Sequence, residues 1–315
     1  MNPNLKNMSA YGIVSHGDKN MKKKLQGSIC LLTATVIWGS AFIAQSVGMD
    51  YIEPFTFQTV RCFLAVVFLL PVIWLFDRDK KAYFSQWANP HLWKTGAVCG
   101  IALFVAAGLQ QVGLVYTAAG KAGFITAMYI VLVPILGLFF RQMPSPAAWI
   151  SVGVAVVGLY LLSCVGVTEI NIGDLCLLVC ALFFAIQITL VDRMAGNLDG
   201  LRLNCVQSVV CAVLSGVMMV FTETPDMDNI LACWLPLGYA GMLSMAIAYS
   251  LQIIGQKYVE PTPASLIMSL ESVFAVLFGW LLLNETLAPH ELLGCALVFA
   301  AVILSQIPVK TKTHA

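Results

Sequence analysis

Residues 109–123 read LQQVGLVYTAAGKAG, residues 251–265 read LQIIGQKYVEPTPAS, and the second stretch repeats the first at one spacing. Leu109, Gln110 and Tyr116 match Leu251, Gln252 and Tyr258, and Ala122-Gly123 is matched by Ala264-Ser265, 142 residues on. Working outward, Gly27-Ser28-Ile29-Cys30 and two following leucines match Gly173-Asp174-Leu175-Cys176 and two leucines, while Gly153 and Gly294 fall early in the last apolar run of each half. Self-similarity at a fixed spacing is the mark of a duplicated architecture.

Each copy holds five apolar runs long enough to cross the roughly 30 Å of a bilayer interior. They are placed at Gln26 to Val47, Phe55 to Phe76, Gly96 to Tyr116, Lys121 to Phe140 and Pro146 to Cys164, then at Ile172 to Val191, Leu201 to Phe221, Trp234 to Gln256, Ala264 to Leu283 and Glu291 to Ile307. An odd number of spans per copy forces the second copy to enter the membrane with the opposite orientation, the arrangement that lets one site face either side in turn. The expected fold is therefore an all-α integral membrane protein with ten transmembrane helices in two inverted five-helix repeats. The repeats cover residues 26–165 and 172–308, between a polar tail of residues 1–25 and a short tail of residues 309–315.

Basic residues follow every second span. Lys6, Lys19, Lys22, Lys23 and Lys24 precede the first; Arg78, Lys80, Lys81 and Lys94 follow the second, Arg141 the fourth, Arg193 and Arg202 the sixth, Lys257 the eighth, and Lys310 and Lys312 the tenth. The opposite loops carry Asp50, Glu53, Glu169, Glu223, Asp226, Asp228, Glu285 and Glu291, with Lys121 at their border. Under the positive-inside rule both termini are expected in the cytoplasm. The polar tail lacks an apolar core, so the first span is expected to direct insertion rather than a cleaved signal peptide.

Composition agrees with a bilayer as solvent. Of 315 residues 59% are hydrophobic and only 10% charged, with a net charge of +1 and a mean hydropathy of +0.86. A chain so poor in charge does not stay dissolved as a soluble domain, and its basic residues form no nucleic-acid footprint. The ten cysteines fall mainly inside apolar runs, as small hydrophobes do. Cys176 and Cys180 share a helix face with no histidine near in sequence, so neither a metal nor a cofactor is expected.

Several segments resemble the EamA family of the drug/metabolite transporter superfamily, from about Gly27 to Ile307. They are Trp38-Gly39-Ser40-Ala41-Phe42 in the first span, Pro54-Phe55-Thr56-Phe57 leading to Arg61, Gly120-Lys121-Ala122-Gly123-Phe124 with Tyr129 to Pro134, and Ser269-Leu270-Glu271-Ser272-Val273-Phe274 with Gly279 to Glu285. The chain has Ser272 where the family usually has proline, which puts bending of the ninth helix in question, and Met143-Pro144 near where a glutamate is usual. The resemblance implies a ten-helix carrier with a central cavity shared by both halves, exporting amino acids or other small metabolites, in a plasma membrane of the bacterial inner-membrane kind. It leaves the cargo open.

Charge inside a span is costly and marks function by default. Arg61 lies about 9 Å into the second span and Glu271 similarly deep in the ninth from the other side, so their α-carbons stand roughly 10 Å apart along the membrane normal. Arg61 suits an anionic group of a substrate, or clamps backbone carbonyls. Glu271 suits a cationic group, or exchanges the proton that coupling needs; together the two suit a zwitterion. Gln110, Gln187, Gln207 and Gln252 are candidate orienting groups, with Gln58, Gln111, Asn204 and Ser269 as further polar positions, and Gln207 occupies the repeat position of Arg61. Trp38 and Tyr129 offer aromatic walls. Pro134 is a candidate hinge within the fourth span. The expected partners are a small-molecule substrate, the lipid bilayer and protons.

The competing readings are a membrane-embedded enzyme and a channel or structural subunit. The sequence has no HExxH, GxSxG or Walker-type loop, and no ring of repeated polar residues for a pore. No enzymatic activity is expected.

Overall fold

A computed structural model describes the backbone of residues 3–77, 83–163, 165, 170–283 and 288–306, and the side chains of these apart from residues 3–20 and 282–283. Arg78, Lys80, Lys81, Cys164, Glu169, Glu285, Ile307, Lys310 and Lys312, and the side chains of Lys6, Lys19 and Leu283, lie outside what is described.

Among the described residues ten helices are long and apolar enough to cross a membrane: α1 (Met21–Gly48), α2 (Pro54–Phe76), α3 (Pro90–Tyr116), α4 (Ala119–Phe139), α5 (Pro146–Ser163), α6 (Ile172–Met194), α7 (Gly200–Thr222), α8 (Trp234–Gln256), α9 (Pro261–Leu281) and α10 (Pro289–Gln306). Short helices at Tyr83–Trp87 and Met227–Ala232 fill two of the connections. Starts are set by local chemistry. Proline opens α2, α3, α5, α9 and α10, where its missing N–H would have had no helical partner. Asn89 caps α3 by accepting from the His91 N–H at 3.0 Å, which starts that helix at Pro90 rather than at the expected Gly96. Asn171 and Asp174 form a reciprocal capping box at α6.

The packing maps onto itself when the halves are exchanged. α1 packs on α8 as α6 packs on α3, α1 on α9 as α6 on α4, and α2 on α8 as α7 on α3, while α2–α7 and α5–α10 are their own images. α5 and α10 meet at glycines: a Cβ on Gly158 would sit 2.9 Å from the Gly294 carbonyl oxygen, and one on Gly294 would sit 2.6 Å from that of Gly158. α2 and α7 are fastened at both ends by image contacts. The Glu223 carboxylate accepts from Phe55 N, Thr56 N and Thr56 Oγ1 at 2.6–2.8 Å, and Asp77 accepts from Arg202 Nη2 at 2.5 Å. Glu223 lies 146 residues after Asp77, as Arg202 lies 146 after Thr56.

Three spans are irregular. α4 is interrupted at Met128, between Ala119–Ala127 and Tyr129–Phe139, and α9 at Ser269, between Pro261–Met268 and Leu270–Leu283. The break in α4 thus comes six residues before Pro134, where a hinge is expected from sequence. α9 breaks although Ser272 replaces proline; the Ser272 hydroxyl instead donates to the Gly123 carbonyl of α4 at 3.0 Å. In α8, Tyr239–Ala248 is wound as a π-helix, a form concentrated at functional places.

Candidate functional site

The two interruptions meet at the centre of the bundle. Tyr129 and Glu271 each follow one break, stand 142 residues apart at equivalent repeat positions, and touch: the Tyr129 hydroxyl donates to Glu271 Oε1 at 3.1 Å. Both line a narrow cavity of about 40 Å³, walled by α1, α2, α3, α4, α6, α8 and α9. Discontinuous helices meeting at mid-membrane are the usual setting of a transporter's binding site, because broken turns expose backbone and side chains that a regular helix keeps to itself.

Arg61 reaches the same cavity from α2 and is 2% exposed. Its Nε donates to Gln58 Oε1 at 2.7 Å, its Nη2 to the same oxygen, and its Nη1 to Gln45 Oε1. The Phe57 ring lies 5.6 Å from the guanidinium carbon. Among the described residues no carboxylate oxygen lies within ion-pair distance of it. Burying a cation costs several kcal/mol. Here charge-assisted hydrogen bonds to neutral amides offset that cost without cancelling the charge, which therefore stays available to whatever enters. Glu271, 6% exposed, is likewise held by a neutral hydroxyl rather than a cation.

The second half uses the equivalent positions differently. Asn204 and Gln207 stand 146 residues after Gln58 and Arg61, and Gln207 Nε2 donates to Asn204 Oδ1 at 2.8 Å, the same three-residue bridge with an amide in place of the cation. Asn204 Nδ2 in turn reaches Met245 O, Ala246 O and Ser250 Oγ, each at 2.9 Å. It thereby supplies donors to carbonyls at the end of the π-wound segment. A line of amides continues to the cavity: Gln187 Nε2 donates to Gln207 Oε1 at 3.4 Å, and Gln252 Nε2 to Gln187 Oε1 at 3.0 Å.

Of the residues expected from sequence, Arg61, Glu271, Trp38, Gln110, Tyr129, Gln187 and Gln252 line the cavity together. Gln207 does not. It is fully buried behind the wall, its amide held by Asn204 on its own helix and by Gln187 of α6. Two buried atoms of lining residues, Trp38 Nε1 and Gln252 Oε1, have no hydrogen-bond partner among the described residues. They are a donor and an acceptor in addition to the two ionisable groups.

Sequence reasoning missed Gln45, Phe184, Ser244 and Tyr249. Phe184 was within reach: it stands 146 residues after Trp38, the spacing of Gly27 and Gly173. Tyr249 packs edge-on against Trp38 with ring centroids 4.9 Å apart and precedes Gln252 by three residues, one helical face. Ser244 lies inside the π-wound segment, where helical spacing misplaces it. Among the described residues no three His, Cys, Asp or Glu side chains gather in a metal-holding group.

The model of the EamA-like transporter family matches residues 25–164 and again residues 171–306. An uncharacterized transporter of Archaeoglobus fulgidus is 34% identical over 97% of this chain and 94% of its own length. The threonine/homoserine exporter RhtA of Escherichia coli is 28% identical over 56% of this chain and 60% of its own. A crystal structure of a protein 15% identical in sequence superposes with a TM-score of 0.74 over 89% of this chain and 96% of that one, which supports the same fold. With ten apolar spans among the described residues, family matches over residues 25–164 and 171–306, and a relative named as a transporter over 97% of its length, this chain is an integral membrane protein that belongs to the EamA-like transporter family.

Proposed function

We propose that the chain is a secondary-active carrier of small zwitterionic metabolites, amino acids or related solutes, working as a proton-coupled exporter by alternating access. The observation that carries this reading is the pairing within one cavity of Arg61 from the first repeat and Glu271 from the second, neither of them neutralised by an opposite charge among the described residues. Arg61 binds the anionic end of the cargo through charge-assisted hydrogen bonds. Glu271 binds the cationic end or carries the proton, taking it up from the side to which the cavity opens. Trp38 and Tyr249 cover the apolar part of the cargo, while Trp38 Nε1 donates to, and Gln252 Oε1 accepts from, its remaining polar atoms.

Both termini lie in the cytoplasm of a bacterial inner membrane, a placement that rests on the basic residues at the ends of α2, α4, α6 and α8. An amino-acid cargo also agrees with the exporter RhtA among the relatives, whose substrates are named as threonine and homoserine.

The test is uptake of a panel of labelled amino acids and small metabolites into proteoliposomes, with and without an imposed pH gradient. Saturable uptake that follows the gradient is the expected result. The same slow, unsaturable leak for every compound, equal to protein-free liposomes, overturns the carrier reading.

A further inference from the structure

Alternating access requires the two ends of the bundle to open separately, and the repeat lets the two closures be compared residue by residue. Each end carries a layer of buried side chains in this structure. Between the cavity and the Lys121 end, Phe42, Leu114, Ala122 and Leu177 form a buried layer. Their images toward the other end, Ile188, Gln256, Ala264 and Leu31, are 4% exposed or less.

The backbone contacts behind the layers are images too. A Cβ on Gly27 would meet the Gly255 carbonyl oxygen at 2.8 Å and Tyr258 Cβ at 2.9 Å; one on Gly173 would meet Thr117 Oγ1 at 2.6 Å and Tyr116 Cβ at 2.8 Å. At each end, therefore, a glycine at the start of one helix sits against the close of another, α1 on α8 and α6 on α3.

The side chains around these joints break the symmetry. At the Lys121 end, Lys121 Nζ donates to Asp174 Oδ2 at 2.6 Å, with side chains 15% and 9% exposed. The Thr117 hydroxyl lies 3.0 Å from Asn171 Oδ1 and 3.1 Å from Asp174 Oδ1, and Asn171 Nδ2 donates to Tyr116 O at 3.0 Å. The image positions of Thr117, Lys121, Asn171 and Asp174 are Val259, Pro263, Leu25 and Ser28. No ion pair can form among those four.

We infer that the Lys121–Asp174 ion pair, with Thr117 and Asn171, is a one-sided latch that holds α3 and α4 to α6, so that the resting carrier opens its cavity preferentially at the opposite end. Parting the latched end separates a directed, partly buried ion pair and its hydrogen bonds. Parting the other end breaks no ion pair at the four image positions: Gln256 Nε2 donates to the Ile188 carbonyl across that joint at 3.0 Å, and the Asp77–Arg202 pair at that end ties α2 to α7 rather than α8 or α9 to α1. With the termini in the cytoplasm the latch lies on the outer side, and a carrier so biased loads from inside, as an exporter does. The inference rests on the alternating-access reading above, and its test does not need the cargo.

A reporter cysteine placed in the cavity wall by Ser244→Cys is exposed to a membrane-impermeant thiol reagent in right-side-out and in inside-out vesicles, and labelling is read site by site by mass spectrometry. Lys121→Gln, or Asp174→Asn, which keeps the α6 cap, is expected to raise labelling from the Lys121 end about tenfold, the effect of about 1.4 kcal/mol, and to lower it from the other end. The charge swap Lys121→Asp with Asp174→Lys moves the ratio back toward the original, short of it by what the lost α6 capping box and Thr117 contact supplied. Installing the image pair, Ser28→Asp with Pro263→Lys, lowers labelling from the unlatched end. Unchanged ratios, or an equal rise from both ends, overturn the latch. A reporter that no variant exposes from either side overturns alternating access itself.

Discussion

Gly39 of α1 lies against the stretch of α9 that carries Glu271, and adding a single methyl there tests how the cavity is held. A Cβ at Gly39 would lie 2.5 Å from Phe274 Cβ and 2.9 Å from both the Glu271 carbonyl oxygen and the Ala275 nitrogen. All three are backbone or Cβ atoms, so no rotamer change relieves them. Carbon contacts settle at about 3.5 Å or beyond, so Gly39→Ala must move α1 and α9 apart by about 1 Å. Overpacking of this kind costs about 1–3 kcal/mol, against a helix-propensity gain of about 1 kcal/mol for replacing glycine. Gly153 in α5 supplies the control, because a Cβ there meets nothing within 4 Å and Gly153→Ala keeps only the gain. Thermal unfolding in detergent, followed by tryptophan fluorescence, should place Gly39→Ala clearly below Gly153→Ala. The displaced α9 should also draw Glu271 away from Tyr129 and reduce transport. Equal melting of the two variants would refute the close approach, and with it the argument that Gly39 positions Glu271.

Asn204→Leu removes the donors to Met245 O and Ala246 O and leaves Gln207 short of an acceptor; chemical unfolding in mixed micelles should show a loss of about 2 kcal/mol, and an unchanged midpoint would mean the π-wound segment stands without it. Asp77→Asn breaks a buried pair with Arg202 and should cost about 3 kcal/mol. Glu223→Gln, at the other end of the same helix pair, should cost about 1 kcal/mol in the same assay. The two should add to within about 0.5 kcal/mol, whereas strong coupling would show that the ends are not separate fastenings. Gly294→Val should drive α10 from α5 and lower the yield of folded protein on size-exclusion chromatography, while a normal profile would contradict the 2.6 Å approach to the Gly158 carbonyl.

The spans were legible because twenty apolar residues in a row have one physical use, and their number was supported by charge at the ends. The repeat was legible where unchanged polar residues such as Gln110 and Gln252 survived in both copies. Arg61 and Glu271 stood out because charge inside a span is rare. What stayed hidden depends on partners far along the chain. The π winding of α8 is bound up with Asn204 on α7, and nothing within Tyr239–Ala248 announces it. The α4 break was sought at Pro134, a local signal, but lies at Met128, opposite its image in α9. Gln207 was expected in the cavity from its repeat position. That position is shared with Arg61, but its surroundings are not: Gln58 and Gln45 hold the guanidinium in the cavity wall, whereas Asn204 and Gln187 hold the amide behind it.

If Arg61 holds cargo while Glu271 carries the coupling proton in one cavity, counterflow separates the two roles. Proteoliposomes are preloaded with an unlabelled amino-acid mixture and diluted into labelled amino acids without a pH gradient; accumulation driven by a gradient is then measured on the same preparations. Glu271→Gln is expected to retain counterflow and lose gradient-driven accumulation, and Arg61→Gln to lose both. Counterflow at wild-type affinity in Arg61→Gln, or gradient-driven accumulation surviving in Glu271→Gln, would contradict this division of roles.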